Sequence, residues 1–280
     1  MTRWARTQRF ERLDALRGVA IVWMTAYHLC FDLNHFGWLQ ENFFRDPFWT
    51  WQRTAIVSLF LFCAGLGQAV ALEQEQGGAH FTNRFSSRFT SRFWWRWSQV
   101  ALAALLVSAG SYLMYPKTFI YFGVLHGIAL MLLVARLTAG WGRWLWLCGA
   151  LAISLKYLAL AAHSAWPELA FLNGKGWNWL GLISAKPYTE DYVPLLPWLG
   201  VLWWGLAAGQ WLLRRRPHWL GAGVNTSAPG GPPAPVAAIS LIAPLQRGLS
   251  WLGRHSLAYY LLHQPVLIGA LMLLKWAVST

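Results

Sequence analysis

Charge is what this sequence has least of. Only 12% of its 280 residues are charged, and ten of those are acidic. A soluble domain carries about 25% charged residues. A larger buried core does not explain the deficit, because single cores stop growing near this length. Cysteine is also scarce. Cys30, Cys63 and Cys148 each sit inside an apolar run, without CxxC or zinc-type spacing. Neither a disulfide framework nor a metal site is expected. A cleaved leader is not expected either. The apolar run behind the basic start contains His28 and Asp32 and ends without a small-residue cleavage site.

Apolar side chains make up 56% of the chain, and 21 residues are Trp. Trp suits a position with one apolar end and one wet end, as at a bilayer surface. The net charge of +13 would suggest nucleic acid in a soluble protein. Here the cations fall between long apolar runs, so no nucleic-acid partner is expected; the lipid bilayer takes that place. The expected fold class is all-α, a polytopic integral membrane protein with about seven transmembrane helices. The spans run roughly Leu16–Leu33, Thr54–Leu72, Trp97–Met114, Phe119–Leu137, Trp144–Ala162, Val193–Leu213 and Leu257–Ala277, each near the length that crosses about 30 Å of hydrocarbon. A single domain, 1–280, is expected. The Pro, Gly and Ala rich stretch 221–238 reads as a flexible cytoplasmic linker.

With the N-terminus inside, the inner segments carry 16 Lys and Arg and the outer segments 6, with Lys156 inside the fifth span. That asymmetry places the N-terminus in the cytoplasm and, after an odd number of spans, the C-terminus outside. The series Arg84, Arg88, Arg92, Arg96 has strict i+4 spacing with Phe85, Phe89 and Phe93 interleaved. As one helix it would set an Arg face beside a Phe face. The plain reading is a surface-lying helix drawn to anionic lipid. The sharper one is a docking surface for a phosphorylated donor.

The chemistry-bearing residues concentrate in the first span. Arg17 and His28 are eleven residues apart, which on a helix leaves them about 20° apart on one face and about 16 Å apart along the axis. Asp32 and His35 continue the stripe at i+4 and i+7 from His28. An ionisable group at membrane depth is costly and usually faces a protein interior or a water-filled cavity. Neutral His28 suits a general base near pH 7, and Asp32 one turn on is placed to orient its ring. The alternative is a histidine bonded inside the bundle for packing alone. His126, flanked by Gly123 and Gly127, falls in the outer half of the fourth span. His263, two residues before Pro265, falls in the inner half of the seventh, where the proline frees a carbonyl and bends the helix.

The segments RLDALRGVAIVWMTAYH, FGVLHGIAL, DYVPLLPWLGVLWWGLAAG and LGRHSLAYYLLHQPVL together resemble the bacterial members of the heparan-alpha-glucosaminide N-acetyltransferase catalytic-domain family. More distantly the chain resembles the membrane acyltransferases that modify O-antigen and peptidoglycan, which share an Arg, ten residues and a His in the first helix, as Arg17 and His28 do. The resemblance implies a transmembrane acyltransferase of a bacterial inner membrane. Acetyl-CoA would be its donor substrate, with no bound cofactor, and a glycan or other small acceptor would take the acetyl group at the outer face. On that reading His28 is the base and Asp32 its orienter. His126 is a partner or oxyanion donor, and Arg17, with Arg92 and Arg96, contacts the donor. The eukaryotic enzyme has its active histidine in the first outer loop, within a His-Ala-x-Trp-Asn type motif absent here, which leaves His35 as the alternative to His28. A covalent acetyl-histidine is the alternative mechanism. Two rival classes use the same residues. One is a bis-His haem cytochrome through His28 and His126; the other is a transporter or proton relay.

The charge asymmetry yields a direct test. A reporter fused after Thr280 should be active only outside the cytoplasm, and a cytoplasmic signal would mean that one span is miscounted.

Overall fold

The computed structural model of the chain describes residues 10–76, 88–215 and 236–279. All regular structure among them is helical: α1 (Glu11–His35), α2 (Pro47–Gln76), α3 (Ser91–Met114), α4 (Val124–Thr138), α5 (Trp144–Ala165), α6 (Leu195–Arg215), α7 (Val236–Arg254) and α8 (Ser256–Ser279), with short 3-10 turns between α4 and α6. Five helical segments are long and apolar enough to cross a membrane: Pro47–Glu75, Ser91–Met114, Val124–Trp141, Trp144–Ala165 and Ser256–Val278. α1 falls outside that set because its ends carry Glu11, Arg12, Asp14, Arg17, Asp32 and His35. α3, α5 and α8 expose rows of large apolar side chains, among them Leu102, Leu106 and Leu113, then Leu147, Leu151 and Leu158, then Leu262, Met272 and Leu273. Rows of this kind are costly against water and are the surface that lipid solvates.

Two compact units divide the chain. One comprises 61–215, and the other 7–60 together with 216–280, so α2 contributes its first half to the second unit and the rest to the first. In the second unit, α1 opens with Glu11 and Asp14 in its first turn, where acidic groups favour the helix dipole. It closes on Gly37 at φ +84°. The amides of Gly37 and Trp38 return to the carbonyls of Asn34 and Leu33, the pairing of a glycine-terminated helix. α7 packs antiparallel to α1 at backbone distance. A Cβ at Gly18 would collide with the Leu249 carbonyl, and one at Gly253 with that of Asp14. Ser250 seals the contact by donating to the Glu11 carbonyl at 3.0 Å. The expected linker 221–238 lies outside the described residues up to 235, and helix begins at Val236.

In the first unit, α2 and α6 meet through small residues. Gly65 faces the Leu202 carbonyl, Gly205 that of Phe62, and Gly209 the Ala69 methyl, the close approach that small residues four apart permit between membrane helices. Indoles tie the remaining helices together: Trp97 to the Ala129 carbonyl, Trp203 to the Thr138 hydroxyl and Trp204 to the Trp146 carbonyl. Three of the tryptophans thus join helices within the unit.

The expected Arg stripe is not one helix. Arg84 lies outside the described residues, and the chain leaves helix at Phe89–Thr90. Thr90 caps α3, accepting from the Phe93 amide at 3.1 Å, so Arg88 is separated from Arg92 and Arg96. The threonine side chain competes with helix propagation and starts a new one instead. Arg88 turns back to donate to the Leu137 carbonyl at 2.6 Å.

The most deeply buried charge is Arg136, 1% exposed. It donates to Glu75 at 2.7 Å, to Gln68 at 2.7 Å and to the Arg88 carbonyl at 2.8 Å, and its guanidinium lies 4.6 Å from the centre of the Phe93 ring. Removing one partner of a buried pair leaves the other uncompensated, at about 3–5 kcal/mol. Glu75→Gln is therefore expected to lower the detergent-solubilised unfolding midpoint strongly. Glu75→Leu with Arg136→Met should recover much of the loss, because apolar replacement of both partners removes the desolvation penalty.

Candidate active site

His28 and His263 form the centre of the second unit's polar core. The Nδ1 atom of His28 lies 2.8 Å from Nε2 of His263, and Nδ1 of His263 lies 2.8 Å from the Tyr260 carbonyl. The two rings meet nearly coplanar along this hydrogen bond, with centroids 5.0 Å apart and planes 23° apart, and the Tyr259 ring lies almost parallel to that of His263 at 5.9 Å. α1 and α8 run parallel here. Thr25 meets Tyr259 at 2.9 Å between hydroxyls, and further along Gln264 donates to Asp32 at 2.8 Å. Tyr27 packs edge-on against Phe43 and Trp49, closing the α1–α2 loop over this part of α1. Beside the pair, a cavity of about 360 Å³ is lined by Thr25, Trp251, His255, Tyr259 and His263 among others.

Asp32 is 4% exposed, and its carboxylate is bonded to Gln264 rather than to the His28 ring. The second Asp32 oxygen and the Gln264 carbonyl oxygen are buried without a hydrogen bond. Asp32 therefore acts on α1–α8 register, and the atom on the second nitrogen of the His28 pair belongs to His263. His35 is exposed at the end of α1, edge-on to Phe36. Arg17 reaches Asp14 at 3.5 Å near the start of α1. Arg92 and Arg96 are exposed in the first turns of α3.

His126 lies in the first unit and has both ring nitrogens engaged. Its Nε2 is 3.1 Å from the Ser108 hydroxyl, which itself donates to the Ile120 carbonyl, so the ring is the donor there. Its Nδ1 accepts from the Gly123 amide at 3.3 Å. The ring thus pins the entry of α4, alongside Asp191, which accepts from the Val124 amide at 2.7 Å. No lone pair of His126 is left for an iron, and the haem alternative is not favoured. The segment between α5 and α6 is held by Asn178, whose side-chain amide donates to the Tyr121 hydroxyl at 2.8 Å and whose main-chain carbonyl accepts from Tyr192 at 2.6 Å. Burial, then the neighbouring Tyr121, pushes the Tyr192 phenol well up from its usual value, so it remains a neutral donor.

The principal residue that the sequence left without a role is His263. Its only signal is the HQP tripeptide, which ends in Pro265. A position late in α1 meets one early in α8, so counting depth from the helix ends set the two rings apart.

An all-helical membrane protein with a histidine pair buried between two of its helices is the class that fold and site define. A family model described as heparan-alpha-glucosaminide N-acetyltransferase, catalytic, matches residues 9–265, and the chain belongs to that family of membrane acyltransferases. Among curated proteins and among solved structures nothing matches.

The Asp191 cap gives a check on the site's frame. Asp191→Ala should cost about 0.5–2 kcal/mol, as loss of a helix cap does. Hydrogen exchange of the first α4 amides should rise while those of α8 stay unchanged.

Proposed function

We propose that the protein transfers an acetyl group from cytoplasmic acetyl-CoA to a glycan or other small acceptor at the outer face of a bacterial inner membrane, with His28 as the base. The observation that carries this reading is the His28–His263 pair. One ring nitrogen of His28 is held by a neighbour, while among the described residues no hydrogen bond occupies the other, Nε2. A general base needs a bare nitrogen within reach of the acceptor and a second nitrogen that fixes the ring. Family membership supplies the reaction class.

In this mechanism the acceptor's hydroxyl or amine loses its proton to His28 Nε2 as its oxygen or nitrogen attacks the thioester carbonyl. The carbon–sulfur bond then breaks, and the proton passes from His28 to the departing thiolate. Asp32 holds α1 against α8 so that the ring stays aligned. Arg17 near the start of α1 is proposed to meet donor phosphates, which guanidinium binds well; Arg92 and Arg96 are proposed as separate inner-face cations for the same chemistry. α1 and α6 complete seven spans with the five apolar segments, the N-terminus lies inside and the C-terminus outside.

Incubating purified protein with radiolabelled acetyl-CoA, following thioester loss and labelled products, tests the reading. His28→Ala should lower transfer by about 10²–10⁴ with insertion intact. Asp32→Asn should be milder and His35→Ala nearly silent. Loss of transfer in His35→Ala but not in His28→Ala would move the active group to the outer loop. Unchanged transfer in both would make the stripe structural.

A further inference from the structure

We propose that His263 is a positioning residue that fixes the tautomer of His28, with the proton on Nδ1 and the lone pair on Nε2. The inference deepens the function proposed above and draws its catalytic meaning from it, but the geometry stands without it.

The argument starts from an atom that cannot change roles. The Tyr260 carbonyl only accepts. His263 Nδ1, 2.8 Å away, must therefore carry a proton. In a neutral ring that makes His263 Nε2 an acceptor. His28 Nδ1, 2.8 Å from it, must then donate. A neutral His28 with its proton on Nδ1 presents its lone pair on Nε2. The peptide carbonyl thus sets the direction of the whole chain, and both rings inherit it. The opposite polarity would need His263 protonated on both nitrogens. That would place a cation on a side chain 7% exposed at bilayer depth, where an ionised group is expensive. Among the described residues no carboxylate oxygen is bonded to the ring: Asp32 meets Gln264 instead, and the ring lying parallel to His263 is that of Tyr259.

The consequence is specific. Free neutral histidine favours the proton on Nε2, the form in which His28 would present a donor where a base is needed. His263 holds it in the other form. This is the service a carboxylate performs for the histidine of a catalytic triad, where the wrong tautomer is costly. Here a second imidazole and a main-chain carbonyl perform it without placing a charge in the membrane.

The test uses the full chain in lipid bilayers with ¹⁵N-labelled histidine. The His28 signals are assigned by their loss in His28→Asn. In the unsubstituted protein Nδ1 of His28 should be protonated and Nε2 bare. In His263→Leu, which fills space but accepts nothing, His28 should pass to the Nε2–H form. Acetyl transfer should then fall by about 10² or more in kcat, with KM changed little. In His263→Gln, whose amide oxygen accepts and whose NH₂ reaches a carbonyl, Nδ1–H should persist and kcat should recover at least tenfold over the Leu variant. A packing role would favour Leu at least as much as Gln. An Nε2–H form of His28 in the unsubstituted protein, or persistence of Nδ1–H in His263→Leu, overturns the proposal. The expected tautomers in a protein that consumes no acetyl-CoA would uphold the positioning role and overturn the function instead.

Discussion

A polar group inside a bilayer has no water to fall back on, so its partner must come from the protein. The interior of this chain is organised around that constraint. Arg136 is the clearest case. One guanidinium gathers Glu75, Gln68, the Arg88 carbonyl and the Phe93 ring, and so fixes α2, α4 and the start of α3 together. Even the break in the Arg series serves it, because the turn at Phe89–Thr90 delivers the Arg88 carbonyl. Elsewhere the constraint is met by main-chain carbonyls, which accept from indoles at two helix contacts and from the Gln210 amide.

The same constraint distinguishes two histidines that look alike in sequence. His126 has both nitrogens bonded and acts as a fastener at the mouth of α4. His28 has one nitrogen bonded and one open. A saturated imidazole has no lone pair to offer a reaction, whereas a half-saturated one is oriented and keeps one. What separates the two is how many partners reach the ring, since residue type is shared by both.

Backbone proximity makes the arrangement rigid. Gly18 and Gly253 let α7 lie against α1, while Gly65 and Gly205 let α2 lie against α6. Dispersion contacts between helices this close are what hold a bundle together in lipid, where no hydrophobic drive operates between helices. In the second unit α8 meets α1 through side chains instead, where Thr25, His28 and Asp32 reach Tyr259, His263 and Gln264.

Much of this was legible in the sequence, because the bilayer imposes its demands locally. A span needs a run of apolar residues, and a cation tolerates only the ends of such runs. The helical class, the membrane location and the family were therefore carried by composition, by runs and by four ordered segments. Helix ends were less legible: Phe119–Leu137 becomes a helix that starts at Val124 and runs through Thr138, since Asp191, distant in sequence, supplies its cap. Arg17, His28 and Asp32 could be set on one stripe because helical periodicity is a local property. Which atom reaches His28 was not legible. A partner 235 residues away depends on the tilt and register of two helices, and that register goes with side-chain contacts such as Thr25–Tyr259 and Asp32–Gln264 that no run of residues encodes alone. Sequence by itself determined that a histidine stands inside the membrane; only the tertiary structure decided that a second histidine, and not the carboxylate one turn away, holds its ring.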